Sequence, residues 1–158
     1  MKQDNTPKNP TWLDRVFQLE EMTGDGLCPV YLRRWTLLKL WSGMGLYLHH
    51  FLSDDWSFDF HDHPKRFISI GLWGEYLEHT PTRDPARPIT ARLFSAPWIR
   101  TFPARHIHRI VLVGGRPCWT LVFVLRTQRD WGFWCGGKWV KWSTYVPSAR
   151  AKEMKACP

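Results

Sequence analysis

From Thr23 onward almost every stretch of the chain is a short apolar run closed by a turn. YLRRWTLLKLW and GMGLYLHHFL meet at Ser42 and Gly43, the pattern of a hairpin. RFISIGLWGEYLEH follows, with Gly71 and Gly74 as candidate bulges or bends. Then come ITARLFSA, RTFPARHIHRIVLV, CWTLVFVLRT, WGFWC and WVKWSTYV. Turns stand at Gly114-Gly115, Gln128 to Asp130 and Gly136-Gly137, and Thr80 to Pro88 reads as a proline-rich surface loop. Runs this short, with no alternating helical segments, predict an all-β sandwich or barrel rather than a bundle or a parallel α/β sheet.

One segment reads differently. In TWLDRVFQLEEM, Trp12, Val16, Leu19 and Met22 recur at three- and four-residue steps. That period predicts a short N-terminal helix through Glu21, capped by Thr11 or Asp14. The expected organisation is an arm with this helix over residues 1–25, one barrel over 26–147, and a polar tail over 148–158. At 158 residues, one domain of this size buries a core without metal or disulfide staples.

The net charge of +8 favours an anionic partner. The basic residues are scattered in ones and twos, and no helix-turn-helix, zinc-finger or RNP-like pattern occurs, so nucleic acid is not the expected partner. The four cysteines, Cys28, Cys118, Cys135 and Cys157, form no C-x-x-C pair. No apolar run approaches the roughly 18 residues of a membrane span, and no signal-peptide pattern opens the chain. A cytoplasmic protein with reduced thiols is expected. The load of 11 tryptophans and 9 phenylalanines suits half-buried pleated surfaces.

Within that β frame stands DFHDHPKR, which places His61 and His63 two residues apart. Side chains two apart on a strand share a face. His106 and His108 repeat the spacing in PARHIH. If both pairs point into one barrel, imidazoles from two strands converge. Neutral imidazole is the commonest protein ligand for Zn, Fe, Cu and Ni. Three such nitrogens with open positions make a reactive site, whereas a closed set of four makes a structural one.

These blocks, in this order, resemble the two motifs of the cupins. In those, roughly G-x5-H-x-H-x3-4-E-x6-G is followed by G-x5-P-x-G-x2-H-x3-N. His61 and His63 stand at the first-motif histidines, Gly74 at its last glycine, Pro103 at the second-motif proline and His108 at its histidine. Asp55 replaces the first glycine, and the glutamate position falls on Phe67 or Ile68. Arg105 and Leu112 replace the second-motif glycine and asparagine. The chain is also similar to small cupin-like proteins of bacteria and phages in HDHP, FISI, GEYLE, HRI, WTL and WGFW, a likeness that brings no assigned reaction.

The resemblance implies a single jelly-roll β-barrel and a metal held by His61, His63 and His108. The absent glutamate implies kinship of ligand type with three-histidine thiol dioxygenases. Fe(II) is the favoured metal, with Zn, Ni or Mn as alternatives. His106 is a candidate replacement for His108, a fourth ligand or a proton carrier. Glu75 shares the parity of His63 and is the candidate base or extra ligand. Either His49 or His50, being adjacent, faces inward, but not both. Asp54 or Asp55 is a candidate acceptor for the second N–H of a ligand histidine. The expected partner is a small molecule, anionic in keeping with the charge, and a homodimer is among the expectations. The competing reading is a non-catalytic module that binds a nucleotide or other small ligand.

Overall fold

A computed structural model describes residues 16–23 and 29–145. In chain order the strands are β1 (Gln18–Met22), β2 (Leu32–Lys39), β3 (Gly45–Phe51), β4 (Phe60–His61), β5 (Lys65–Trp73) and β6 (Glu75–Pro81). They continue as β7 (Ile89–Ser95), β8 (Trp98–Phe102), β9 (Arg109–Leu112), β10 (Cys118–Thr127), β11 (Gly132–Cys135) and β12 (Lys138–Lys141). One helical turn follows at residues 142–145.

The strands form a six-stranded antiparallel sheet, β1-β2-β3-β10-β5-β8, and two three-stranded sheets, β12-β11-β4 and β7-β6-β9. The small sheets are not independent. His61 and His108 face each other in an isolated antiparallel bridge, with backbone bonds of 2.9 and 3.0 Å. That bridge ties β4 to the start of β9 and turns the two small sheets into one layer opposite the large one. The layers bury an aromatic core. One cluster holds Tyr76, Phe94, Ile110, Leu112 and Cys118, and another holds Phe133 and Tyr145. Each such side chain withdrawn from water stabilises the fold by roughly 1.5–3 kcal/mol.

Alternation sets which side chains face inward. In β6 the burial pattern makes Tyr76 and Glu78 interior and leaves Glu75, Leu77 and His79 on the other face. The run from Arg66 to His79 is not one strand. Gly74, with φ of 81°, turns the chain out of the large sheet and into the opposite layer. A Cβ there would lie 2.8 Å from both the Cys118 Cβ and the Pro117 carbonyl oxygen, so only glycine fits. Gly71 is needed for another reason: the Trp98 indole lies where its Cβ would be.

The expected N-terminal helix is corrected. Gln18–Met22 is a strand that pairs with Leu32–Thr36, and the short helical turn lies after β12 instead. The apolar period at Leu19 and Met22 is real, but cross-strand chemistry overrides it. Glu21 accepts from the Arg33 guanidinium at 2.8 Å, and Glu20 is ion-paired with Arg34. Val16, which a buried helical face would have covered, is 65% exposed. Thr11, Trp12 and Asp14 lie outside the described residues, as do Cys28 and Cys157.

Candidate metal centre

Three backbone constraints bring the imidazoles together. His61 is held between β11, where it faces Phe133, and the bridge to His108. His63 donates its backbone N–H to the Ala104 carbonyl at 2.9 Å, which fixes it beside the segment leading to His108. Two-residue spacing puts the His61 and His63 rings on one side, as the sequence predicts, while Asp62 turns away. Asp62 is buried and accepts from the Gly132 backbone N–H at 2.9 Å, the Trp139 indole at 3.0 Å and the Arg129 guanidinium.

The three rings form a near-equilateral triangle. Their centroids are 5.1 Å apart for His61–His63, 5.0 Å for His61–His108 and 4.9 Å for His63–His108. One nitrogen from each lies within 4.8 Å of the others. His63 Nε2 and His108 Nε2 are 2.9 Å apart. A metal–nitrogen bond of about 2.1 Å separates ligand nitrogens by about 3.0 Å at a right angle and about 3.4 Å at the tetrahedral angle. The donor set therefore fits one small divalent cation. Aromatic contacts hold the rings in place: His63 packs edge-on against Phe67, and Phe67 stacks on Phe102 at 4.6 Å.

The His61 and His63 rings are kept neutral. Burial lowers the His61 pKa to about 4, with Asp55 offsetting part of the effect. Burial, and then the charge of the neighbouring imidazoles, holds His63 well below its ordinary value. Neutral imidazoles keep a lone pair free for a metal near pH 7.

Behind the triangle stands a residue that belongs to neither histidine motif. Glu78 Oε1 accepts from His108 Nδ1 and His106 Nε2, both at 2.9 Å, and Oε2 accepts from Arg100 at 2.8 Å. A neutral imidazole has one N–H. With that proton drawn to Nδ1 by Glu78, His108 turns its Nε2 lone pair towards His63. This is the carboxylate–histidine arrangement that orients metal ligands. Burial alone would raise the Glu78 pKa, but the bonds from His106, His108 and Arg100 outweigh it and hold the carboxyl well below the usual range. Glu78, His106 and His108 also form a three-ligand cluster. That carboxylate is already shared by three donors, one of them the permanently charged Arg100, so a cation is disfavoured there relative to the imidazole triangle.

The other candidates separate clearly. Glu75 does not join the cluster: the corner at Gly74 reverses the expected parity, and its carboxylate is bonded to Arg116 at 2.6 Å and Ser95 at 3.0 Å near the surface. His106 does not line the central cavity. Residues Pro103 to Ile107 are irregular rather than strand, and His106 reaches Glu78 from an outer groove shared with Thr80, Pro81 and Arg105. Asp55 lies 3.7 Å from His61 Nδ1, beyond a hydrogen bond, and accepts instead from the Ile110 backbone N–H at 2.7 Å. Asp54 accepts from the Leu112 backbone N–H at 2.7 Å. His49 is the inward member of its pair, whereas His50 stacks on Trp119 at 3.9 Å on the other face.

With His108 behind them, His61 and His63 line a cavity of about 480 Å³ between the two layers, the size of a small-molecule site. Its walls are mainly aromatic and aliphatic, including Tyr47, Phe51, Trp56, Phe67, Trp131 and Phe133. Polar groups enter at His49, Arg34, Asp55, Ser69 and Thr120.

Comparison with solved structures identifies the architecture. An uncharacterised double-stranded β-helix protein from Klebsiella pneumoniae is 13% identical, with a TM-score of 0.51 over 81% of this chain and 97% of that one. The double-stranded β-helix is the cupin barrel. The fold is that of the cupins. Two further solved structures give similar matches. FeII HppE is 11% identical, with a TM-score of 0.54 over 77% of this chain and 62% of that one. DMSP lyase DddQ from Ruegeria pomeroyi is 18% identical, with a TM-score of 0.51 over 70% of this chain and 56% of that one. No family model and no curated protein matches the chain. Among the described residues no helix is long and apolar enough to cross a membrane.

Proposed function

We propose that this cupin binds one divalent transition metal through His61, His63 and His108 and acts on a small molecule held in the adjoining cavity. The observation that carries this reading is the triangle of three imidazoles, two of them on the cavity wall and the third oriented by a buried carboxylate. Fe(II) is the favoured metal and dioxygenation the favoured reaction class. The support is an all-nitrogen facial donor set and a cupin-fold neighbour described as an FeII protein. Bound there, the metal supplies a Lewis acid and, as iron, a redox partner for O2.

The chain's own residues supply the rest. Glu78 keeps the proton of His108 on Nδ1. Phe67, Phe102 and Phe133 restrict water around the rings, and the aromatic walls position the substrate. His106 and Glu75 keep supporting places in this reading: His106 shares the Glu78 proton acceptor, and Glu75 braces Arg116.

Metal analysis of protein purified without a histidine tag tests the proposal. One equivalent of transition metal is expected, lost in His61→Ala, His63→Ala and His108→Ala but kept in Glu75→Ala. Absence of metal after reconstitution, or full metal content in all three histidine variants, refutes it. Metal-free protein that still binds small ligands supports the non-catalytic module instead.

A further inference from the structure

His61 and His63 of the imidazole triangle stand on one wall of the cavity, and the large sheet brings polar groups to it that have no part in that triangle. On the inner face of the large sheet, Arg34 of β2 stands directly across from His49 of β3, and His49 across from Thr120 of β10. All three line the cavity, and Ser69 follows in the next row. The sequence offers no motif for this row, because it is assembled by pairing between strands far apart in the chain.

Two features of the row ask for a ligand. His49 Nε2 is buried and has no hydrogen-bond partner among the described residues. Buried polar atoms are rarely left so, because an unmade bond is costly. The ring stays neutral: burial, and then the Arg34 charge, lowers its pKa to about 3. A neutral imidazole still has one N–H to donate. The second feature is Arg34. Its Nε donates to Glu20 at 3.0 Å and its Nη2 to the same carboxylate oxygen, and no bond from Nη1 is found among the described residues. A guanidinium lies over the Tyr47 ring at 5.1 Å, on an aromatic cavity wall. Lys65 adds a second cation to the lining, and its ammonium donates to the neutral Gly43 carbonyl.

The anions nearby are already engaged. Glu20 is held by Arg34, and Asp55 accepts from Ile110 N–H. The free donors therefore suit an anion, but a small one. Glu20 beside the guanidinium and Asp55 on the wall repel a second negative charge, and the remaining lining is apolar.

We infer that the substrate is an organic monocarboxylate with an apolar body, its carboxylate anchored by Arg34 and His49 and its other end directed at the imidazole triangle. This rests on the reading of the cavity as the substrate site and names the substrate's class. Arg34 supplies the charge. His49 supplies a neutral hydrogen bond that fixes orientation. Neither belongs to the imidazole triangle.

The test is isothermal titration of the full chain, loaded with Co(II), using hydrocinnamate, its amide and phenethylphosphonate as probes. Hydrocinnamate is expected to bind at least about tenfold more tightly than the amide or the phosphonate, a preference worth about 1.4 kcal/mol. Arg34→Met abolishes the preference for acid over amide, and His49→Phe weakens the acid several-fold. Glu20→Gln removes the competing carboxylate and strengthens acid binding. That gain cannot arise from misfolding, so it guards against a damaged Arg34→Met variant. Equal affinity for acid and amide, preference for the phosphonate, no binding of any probe, or unchanged acid binding in Glu20→Gln overturns the inference. Metal content is measured on the same samples. Full metal with no acid preference defeats this inference alone. An acid preference that depends on Arg34 in protein that takes up no metal defeats the metal reading and leaves this one standing.

Discussion

Glu78→Gln removes the charge from a buried carboxylate that three side chains share, and its consequences can be worked out in advance. The amide keeps one oxygen acceptor but presents an NH2 group where the second oxygen stood. Either Arg100 or the His106–His108 pair then loses its acceptor. Breaking one side of a buried charge pair costs roughly 3–5 kcal/mol. Arg100 is still 20% exposed, so the lower end applies, about 3 kcal/mol. For a chain of this length that is a fall in Tm of about 6–12 °C. A second effect acts on the site. A neutral amide draws the His108 proton to Nδ1 less strongly than a carboxylate does, so the wrong tautomer gains population and metal affinity falls about 10- to 100-fold. Urea unfolding gives the first quantity and chelator competition with Co(II) the second. Adding Arg100→Met to Glu78→Gln recovers part of the stability, because no unpaired guanidinium remains, but leaves the metal affinity low. If Glu78→Gln unfolds at the parent's midpoint and binds Co(II) as tightly, the argument from His108 orientation is wrong.

Acid lability provides a further check. The folded-state pKa values of His49 and His61, about 3 and about 4, lie below their ordinary 6.5, so the unfolded chain takes up protons first. Stability is present above about pH 6.5 and is lost as the pH falls towards 4, with His49 contributing at most about 3 kcal/mol of that loss. His49→Phe flattens the difference between urea midpoints at pH 7 and pH 4; an unchanged difference contradicts the assignment. Gly74→Ala and Gly115→Ala both place alanine at positive φ, but only position 74 is crowded. The first loses about 2 kcal/mol more than the second in denaturant titrations, and equal losses would show that the corner relaxes.

How much of this could be read from the sequence follows from what each feature depends on. The His61–His63 pair depends only on local parity, and two-residue spacing in an extended segment is enough to place both rings on one side. His108 was reachable because Pro103 and the later histidine keep the cupin order. Glu78 was not, because its inward direction is set by the Gly74 corner, and carrying the parity of His63 through that corner selects Glu75. The helix expected through Glu21 failed for a related reason. Apolar spacing cannot reveal that Glu20 and Glu21 face Arg34 and Arg33 on a strand more than ten residues away. The Arg34–His49 row is invisible for the same cause: register between strands is a property of the folded sheet. Side chains placed by local parity or by a motif order were legible, and those placed only by pairing between strands were not.

X-ray absorption at the metal edge, on protein reconstituted with Fe(II) under anaerobic conditions, tests the central claim most directly. The account predicts one iron per chain with three imidazole nitrogens in its coordination shell, and loss of that iron in His108→Ala. A shell without imidazole scattering, or one unchanged by that substitution, would contradict it.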